Sequence, residues 1–327
     1  MTLGKPLIRR VVLLGAFAAI TTVAAAQTPS PALLVVNKGD NSMAIVDPQT
    51  RKVVGKVTTV GRPHEVAVSP DGKLAFLANL GGDSLSVIDL VAQKEVRRVD
   101  LGGLTLPHGI HFAGGKVYFT AQGSKAIGRY DPASNKIDLV LGTGQDGTHT
   151  VVVSKDLNHI FAANMAANSI AAFERTSKPP DWKLTTIPVG KRPEGIDISP
   201  DGKEFWVAHS DSVSIIDIAT KKVTQTFGVE TKVSNKLVFT PDGKRVIISD
   251  NTGNELVVLD AATRKPIKRI KLGNKVTKFQ VEPDGSRVYV AVADDNNVAV
   301  IDLKTFEVTG RFTTGIDPDG MAWTRLQ

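Results

Sequence analysis

The chain of 327 residues contains six histidines and no cysteine. Three of the histidines recur at one spot in a repeated pattern: His64 in "GRPHEVAVSPDG", His108 in "LPHGIHFAGG" and His149 in "GTHTVVVSKD". Each follows a turn and opens a short apolar run. Imidazole is the side chain best suited to change charge near neutrality or to ligate a metal. Three imidazoles with an open position would suit one divalent zinc, copper or iron ion and leave room for water or substrate. Glu194, in "KRPEGIDIS", holds the same spot in the next repeat. Beside such a metal it would serve as general acid or base in a lyase or hydrolase. No compact ligand spacing such as HExxH is present, so any such site depends on a fold that brings repeats together. Two other readings stay open: a water-filled polar lining, and a site for an organic ligand. The absence of cysteine excludes disulfides, thiolate metal sites and cysteine nucleophiles.

The element that positions these residues is a repeat. With Pro63 as anchor, equivalent positions are Pro107, Thr148, Pro193, Ser234, Val276 and Pro318, at steps of 44, 41, 45, 41, 42 and 42 residues. Each unit holds four runs such as "EVAVS", "LAFLAN" and "SLSVID", rich in β-branched and small apolar residues and lacking helical spacing. Pro-Asp-Gly between the first two runs supplies a tight turn. Asp47, Asp89, Asp131, Asp217, Asp260 and Asp302 follow the third run and are expected to accept hydrogen bonds from turn amides. A period of this size with four strands per unit predicts an all-β propeller with four-stranded blades. Six complete units lie between residue 61 and about 315. The start of the repeat region lacks a first strand and "IDPDGMAWTRLQ" supplies only one. A seventh blade, closed by N-terminal strands plus the C-terminal strand, is therefore expected.

In such a ring the first strands line the central channel. The histidine spot becomes a circle at the channel mouth: His64, His108, His149, Glu194, Asn235, Thr277 and Asp319, all polar. The ends of the second strands form another circle, Asn37, Asn79, Gln122, Asn164, His209, Asp250 and Val292. Asn there is expected to cap the following loop. His209 departs from the amides and is the member expected to face a ligand. His209, Asn235, Asp319, Asn79 and Asn164 are the candidate ligand-binding residues. His111 is expected on the opposite blade face and His159 on the far side, both structural.

"LAFLAN", "HIFAAN" and "LLVVN", each followed by a loop and a "SVID"-type strand, resemble the YVTN repeats of bacterial and archaeal β-propellers, including the YncE-like periplasmic proteins. The resemblance covers the chain after its first 26 residues. It implies a propeller scaffold used for adhesion, binding or catalysis. Similar propellers include lactonases and a streptogramin lyase, but a fold does not transfer chemistry.

Lys5, Arg9 and Arg10 precede an apolar run, and Ala24, Ala25 and Ala26 offer a cleavage point, as in a secretory signal peptide over residues 1–26. Export to the periplasm or outside follows, with residues 27–327 as one domain. Cleavage would lower the net charge from +7 to +4, because three cations and no acids leave. That is mildly basic. Lysines and arginines in the loops opposite the histidines interleave with acids, which suits a soluble surface better than phosphate tracking. Single-stranded nucleic acid binding stays a weak alternative to a small molecule or a peptide partner. "GTGQDG" lacks a following helix and so lacks the usual phosphate cradle. Trp182, in "TSKPPDWK", either packs on its own blade or meets a partner. A monomer is expected.

Overall fold

The computed structural model describes residues 1, 2, 4, 27–179 and 181–327. The expected leader therefore falls almost wholly outside the described residues. Among them, twenty-eight strands, β1 (Ala32–Asn37) to β28 (Pro318–Thr324), form seven four-stranded antiparallel sheets. In the closing sheet, β28 pairs with β1, which continues to β2 (Ser42–Asp47) and β3 (Lys52–Thr58). Leu33 faces Trp323 and Leu34 faces Ala322 across the join. This joins the two ends of the chain and leaves no open blade.

The first strands are β4 (Pro63–Val68), β8 (Pro107–Ala113), β12 (Thr148–Val153), β16 (Gly195–Ile198), β20 (Ser234–Phe239) and β24 (Val276–Val281), with β28. Each contacts the next, and β28 returns to β4, so they enclose a common axis. Middle strands such as β5 (Leu74–Asn79) and β6 (Ser84–Asp89) are buried almost throughout. Their apolar runs do not alternate because each blade is covered on both faces. Ile247 and Val258 of one blade pack with Val290 and Ile301 of the next. Phe161 stacks on Phe205 across another blade junction, ring centres 4.4 Å apart. Such burial stabilises by roughly 1.5–3 kcal/mol per large side chain. Outer strands, such as β7 (Lys94–Asp100), are mostly exposed and carry lysine and arginine, which discourage edge pairing with other chains.

The turns follow the sequence. In Ser69–Gly72, Ser69 Oγ donates to Asp71 Oδ1 at 2.6 Å and Gly72 adopts φ +72°. Asp47, Asp217 and Asp260 accept hydrogen bonds from backbone amides two or three residues on, at 2.7–2.8 Å. These carboxylates are turn caps. At the axis, three first strands carry glycine: Gly109, Gly195 and Gly320. A Cβ there would lie 2.6 Å from His149 O, 2.6 Å from Leu237 N and 2.3 Å from His64 O. Close approach of neighbouring backbones requires glycine at these points. The equivalent places on other blades hold Glu65, Thr150, Lys236 and Lys278, so the axis carries charged and polar side chains between the glycines.

Candidate functional site

Most of the residues in the first predicted circle sit in a break of strand register. The pairing shifts between Pro63 and Glu65, between Pro107 and Ile110, between Thr148 and Thr150, and between Ser234 and Lys236. A bulge leaves its extra residue unpaired and re-aims its side chain. Here that residue is His64, His108, His149 or Asn235, and each turns toward the axis. The same shift corrects the expectation for His111. It lies on the axial side and lines the channel, because the bulge at His108 changes the count along β8.

The circle is an enclosed layer rather than a wet mouth. His64, His108 and His149 are 8%, 5% and 8% exposed, and Glu194, Thr277 and Asp319 are 3% exposed. The imidazoles come together as a stack. His64 and His108 ring centres are 4.9 Å apart, and those of His108 and His149 are 3.7 Å apart with planes inclined by 35°. His64 Nδ1–H donates to Arg62 O at 2.9 Å. His108 Nδ1 and His149 Nδ1 have no hydrogen-bond partner within the described residues. Burial lowers the pKa of all three, well below 6.5 for His108 and His149, with Lys278 and the neighbouring imidazoles adding to the effect. The stack is neutral at pH 7.

A metal shared by three imidazoles needs their nitrogens aimed at one point about 2.0–2.1 Å from each. The planes of His64 and His108 are inclined by 54° and those of His108 and His149 by 35°. Among the described residues, no group of three or more His, Asp or Glu is arranged to hold a metal ion.

Glu194 completes the layer. Its Oε1 accepts from Asn235 Nδ2 at 2.5 Å and lies 3.7 Å from Lys278 Nζ and 4.0 Å from His149 Nδ1. Its Oε2 has no hydrogen-bond partner, with Arg192 Nη2 at 3.7 Å. Burial raises its pKa against the pull of Lys278 and Arg192. Asp319 is the opposite case: Lys38, at 3.1 Å, and Lys278 outweigh burial and lower its pKa.

Below this layer lies a chamber of about 340 Å3 on the propeller axis. Glu65, Thr150, Asp197, Lys236, Lys278 and Gln280 line it together with Glu194 and Asn235. Lys278 is 3% exposed and bonded to Glu65 Oε1 at 3.1 Å. Burial works against its charge, but Glu65 and Glu194 outweigh that and push its pKa up. Burial lowers the pKa of Lys236 and raises that of Asp197 to about 6. His111 is held at about 4 by burial. A second chamber of about 670 Å3 meets the first at His111, Val152 and Asp197 and continues to the Pro-Asp-Gly turns on the opposite face. His159 lines this second chamber, 4.0 Å from Glu174.

Glu65, Asp197, Lys236 and Lys278 escaped the sequence reading. Their signal was present: a charge inside "HEVAV", "GIDIS", "NKLVF" and "TKFQV", where the other repeats carry uncharged residues, glycine, threonine, alanine and valine, with His111 and Gln280 at the place of Asp197. The second predicted circle is placed elsewhere. Asn79 and Asn164 are fully buried within their sheets, each donating to a serine of the following strand, Ser84 at 3.2 Å and Ser169 at 3.1 Å. His209 does the work of those amides, with Nδ1 3.2 Å from Ser212 Oγ and Nε2 accepting from Gly190 N at 3.3 Å. It is fully buried and lines neither of these two chambers. Trp182 packs at the junction of two blades, in a cluster with Phe173 of its own blade and Ile127 of the preceding one.

Residues 6–114 match the YNCE-like beta-propeller family, and residues 106–283 match the Cytochrome D1 heme domain family. Antigen Lp49 of Leptospira interrogans is 24% identical over 244 residues, 67% of this chain and 52% of its own length. The chain thus spans about half the length of that curated relative. The structure of the Pseudomonas aeruginosa periplasmic gluconolactonase PpgL superposes with TM-score 0.75 at 16% identity, covering 91% of this chain and all of that one. The dihydro-heme d1 dehydrogenase NirN, in complex with DHE, superposes with TM-score 0.64 at 15% identity, covering 89% and 74%. At these identities the two structures attest the fold alone. The repeats, the seven blades and the sequence matches agree: the chain belongs to the YncE-like β-propeller family and, through residues 106–283, to the Cytochrome D1 heme domain family.

Proposed function

We propose that the protein is an exported binding scaffold that takes a small polar molecule in its axial chamber, under the imidazole stack. One observation carries this reading. Two buried acceptor atoms of residues lining the chamber, Glu194 Oε2 and Asn235 Oδ1, have no hydrogen-bond partner within the described residues, Glu194 Oε2 having only Arg192 Nη2 at 3.7 Å. Buried polar groups without partners are costly, by about 1–3 kcal/mol each, and a bound molecule would supply them. Its volume lies at the lower end of the usual range for ligand sites. Export rests on the leader expected at residues 1–26. Ion pairs such as Lys116–Asp131 and Arg129–Asp138 neutralise surface cations, which argues against nucleic acid.

The family name brings a heme into question. Heme iron takes a nitrogen of a proximal imidazole. His108 is sandwiched between the other two rings, and the space below them is lined with ammonium and carboxylate groups. As arranged, these residues fit neither an iron nor a macrocycle, and no step through one is drawn.

A second reading is catalysis by Glu194 without a metal. Its raised pKa, its place at the chamber rim and the imidazole of His149 at 4.0 Å suit a general acid in a lyase or hydrolase. Thermal-shift screening of purified protein against neutral and charged sugars, lactones and small acids tests the binding reading. A hit that is lost on Asn235→Ala supports it, and no hit across the panel overturns it. Turnover of a lactone that is lost in Glu194→Gln would favour the enzyme.

A further inference from the structure

Three lysines are built into the axis of the propeller, and they are not alike. Lys38 lies 3.1 Å from Asp319, and Lys278 lies 3.1 Å from Glu65. Lys236 has no carboxylate oxygen within 4.0 Å among the described residues. Its Nζ lies 5.6 Å from the centre of the Phe279 ring. The carboxylate of Asp197, whose oxygens accept from the amides of Ile198 and Phe239 at 2.8 and 2.9 Å, attracts Lys236 only from beyond ion-pair distance. Lys236 is half-buried and lines the chamber, with the carboxylates that attract it, Glu65, Asp197 and Asp319, all beyond ion-pair distance, so its ammonium is free to meet an anion placed there. In three other blades the same place holds a glycine, so the ring geometry does not call for a lysine.

Resting on the binding reading above, we infer that Lys236 anchors the carboxylate of the ligand, and that the ligand is a small hydroxy acid. The class follows from what surrounds the ammonium. Glu194 Oε2 and Asn235 Oδ1, of two residues lining the same chamber, accept no hydrogen bond within the described residues, Arg192 Nη2 standing 3.7 Å from the former. Hydroxyl groups of the ligand donate to them, while a carboxylate at the other end meets Lys236. A neutral sugar offers the hydroxyls alone. A simple fatty acid offers the carboxylate alone and places methylenes against charged walls.

The test is titration calorimetry with gluconate and malate as probes and D-glucose as the uncharged polyol, on wild type, Lys236→Met and Lys236→Arg. Binding of at least one acid to wild type is expected, weakened more than tenfold in Lys236→Met and largely kept in Lys236→Arg. The melting temperature of the free Lys236→Met protein should stay level or rise, which separates lost binding from lost folding. Acids bound equally by wild type and Lys236→Met would overturn the anchor. Binding of D-glucose but of neither acid would overturn it too, while leaving the axial chamber as a binding site. Silence from all three probes, alongside a hit elsewhere in the thermal screen, would also remove the hydroxy-acid assignment without touching the broader reading.

Discussion

His108 and His149, on neighbouring blades and 41 residues apart in sequence, meet face to face with ring centres 3.7 Å apart. Two consequences follow from the stack. Burial and the nearby Lys278 disfavour charge on the rings, and among the described residues no group of three or more His, Asp or Glu is arranged to hold a metal ion. Purified protein exposed to zinc, copper(II) and iron(II) and then desalted should hold far less than one equivalent of metal. Elemental analysis of wild type and His108→Ala should give the same low content. Stoichiometric metal in wild type that disappears in His108→Ala would overturn the stacked arrangement.

Acid should destabilise the protein partly through His209. Burial depresses its pKa from 6.5 to about 4, with nearby Asp211 opposing weakly. Above 6.5 both folded and unfolded forms are neutral and nothing is lost. As pH falls toward 4 the unfolded chain takes the proton first, and about 3 kcal/mol of stability drains away. His209→Asn supplies the amide used at Asn37, Asn79 and Asn164. Denaturant melts at pH 7.5 should be similar for the two proteins, and the variant should gain relative stability by pH 4.5. Parallel acid curves would show that His209 is not the titrating group.

Lys278 holds two buried acids. Its replacement by methionine leaves Glu65 and Glu194 without their cation, a loss of about 3–5 kcal/mol by analogy with other broken buried pairs. Adding Glu194→Gln and Glu65→Gln should restore a large part of it. Urea unfolding of the single and triple variants measures both. A single variant as stable as wild type would mean that the ion pairs contribute little.

Gly320→Ala should destabilise by about 1–3 kcal/mol, since the added methyl meets the backbone of the first strand of the neighbouring blade and forces it aside. Gly142→Ala is the control, with no atom within 4 Å of the added carbon. Thermal unfolding of the pair distinguishes the axial contact from a general intolerance of alanine.

Much of the architecture was legible because a blade is a local unit. The step of 41 to 45 residues, the Pro-Asp-Gly turns and the complementary ends "ALLVVN" and "PDGMAWT" dictate seven sheets and their closure, since hydrogen-bond pairing and burial act on each repeat alike. The composition of the first circle was legible for the same reason. Equivalent positions in a ring become neighbours, so His64, His108, His149 and Glu194 had to share one arc.

Direction was decided by tertiary structure. A bulge shifts the alternation of a strand by one residue, and nothing in "PHGIHF" announces one. This is why His111 was not expected to line the channel. Burial of the second circle was equally hidden: His209 reads as an exception until Gly190 and Ser212 are seen to hold it. The sequence by itself determined which residues meet around the axis. Only the packing of adjacent first strands decided how the imidazoles lie against one another, and that Lys236, unlike Lys38 and Lys278, has no carboxylate within ion-pair distance among the described residues. Side-chain aim and ion pairing depend on contacts between different blades, and those distances exist only once the ring has closed.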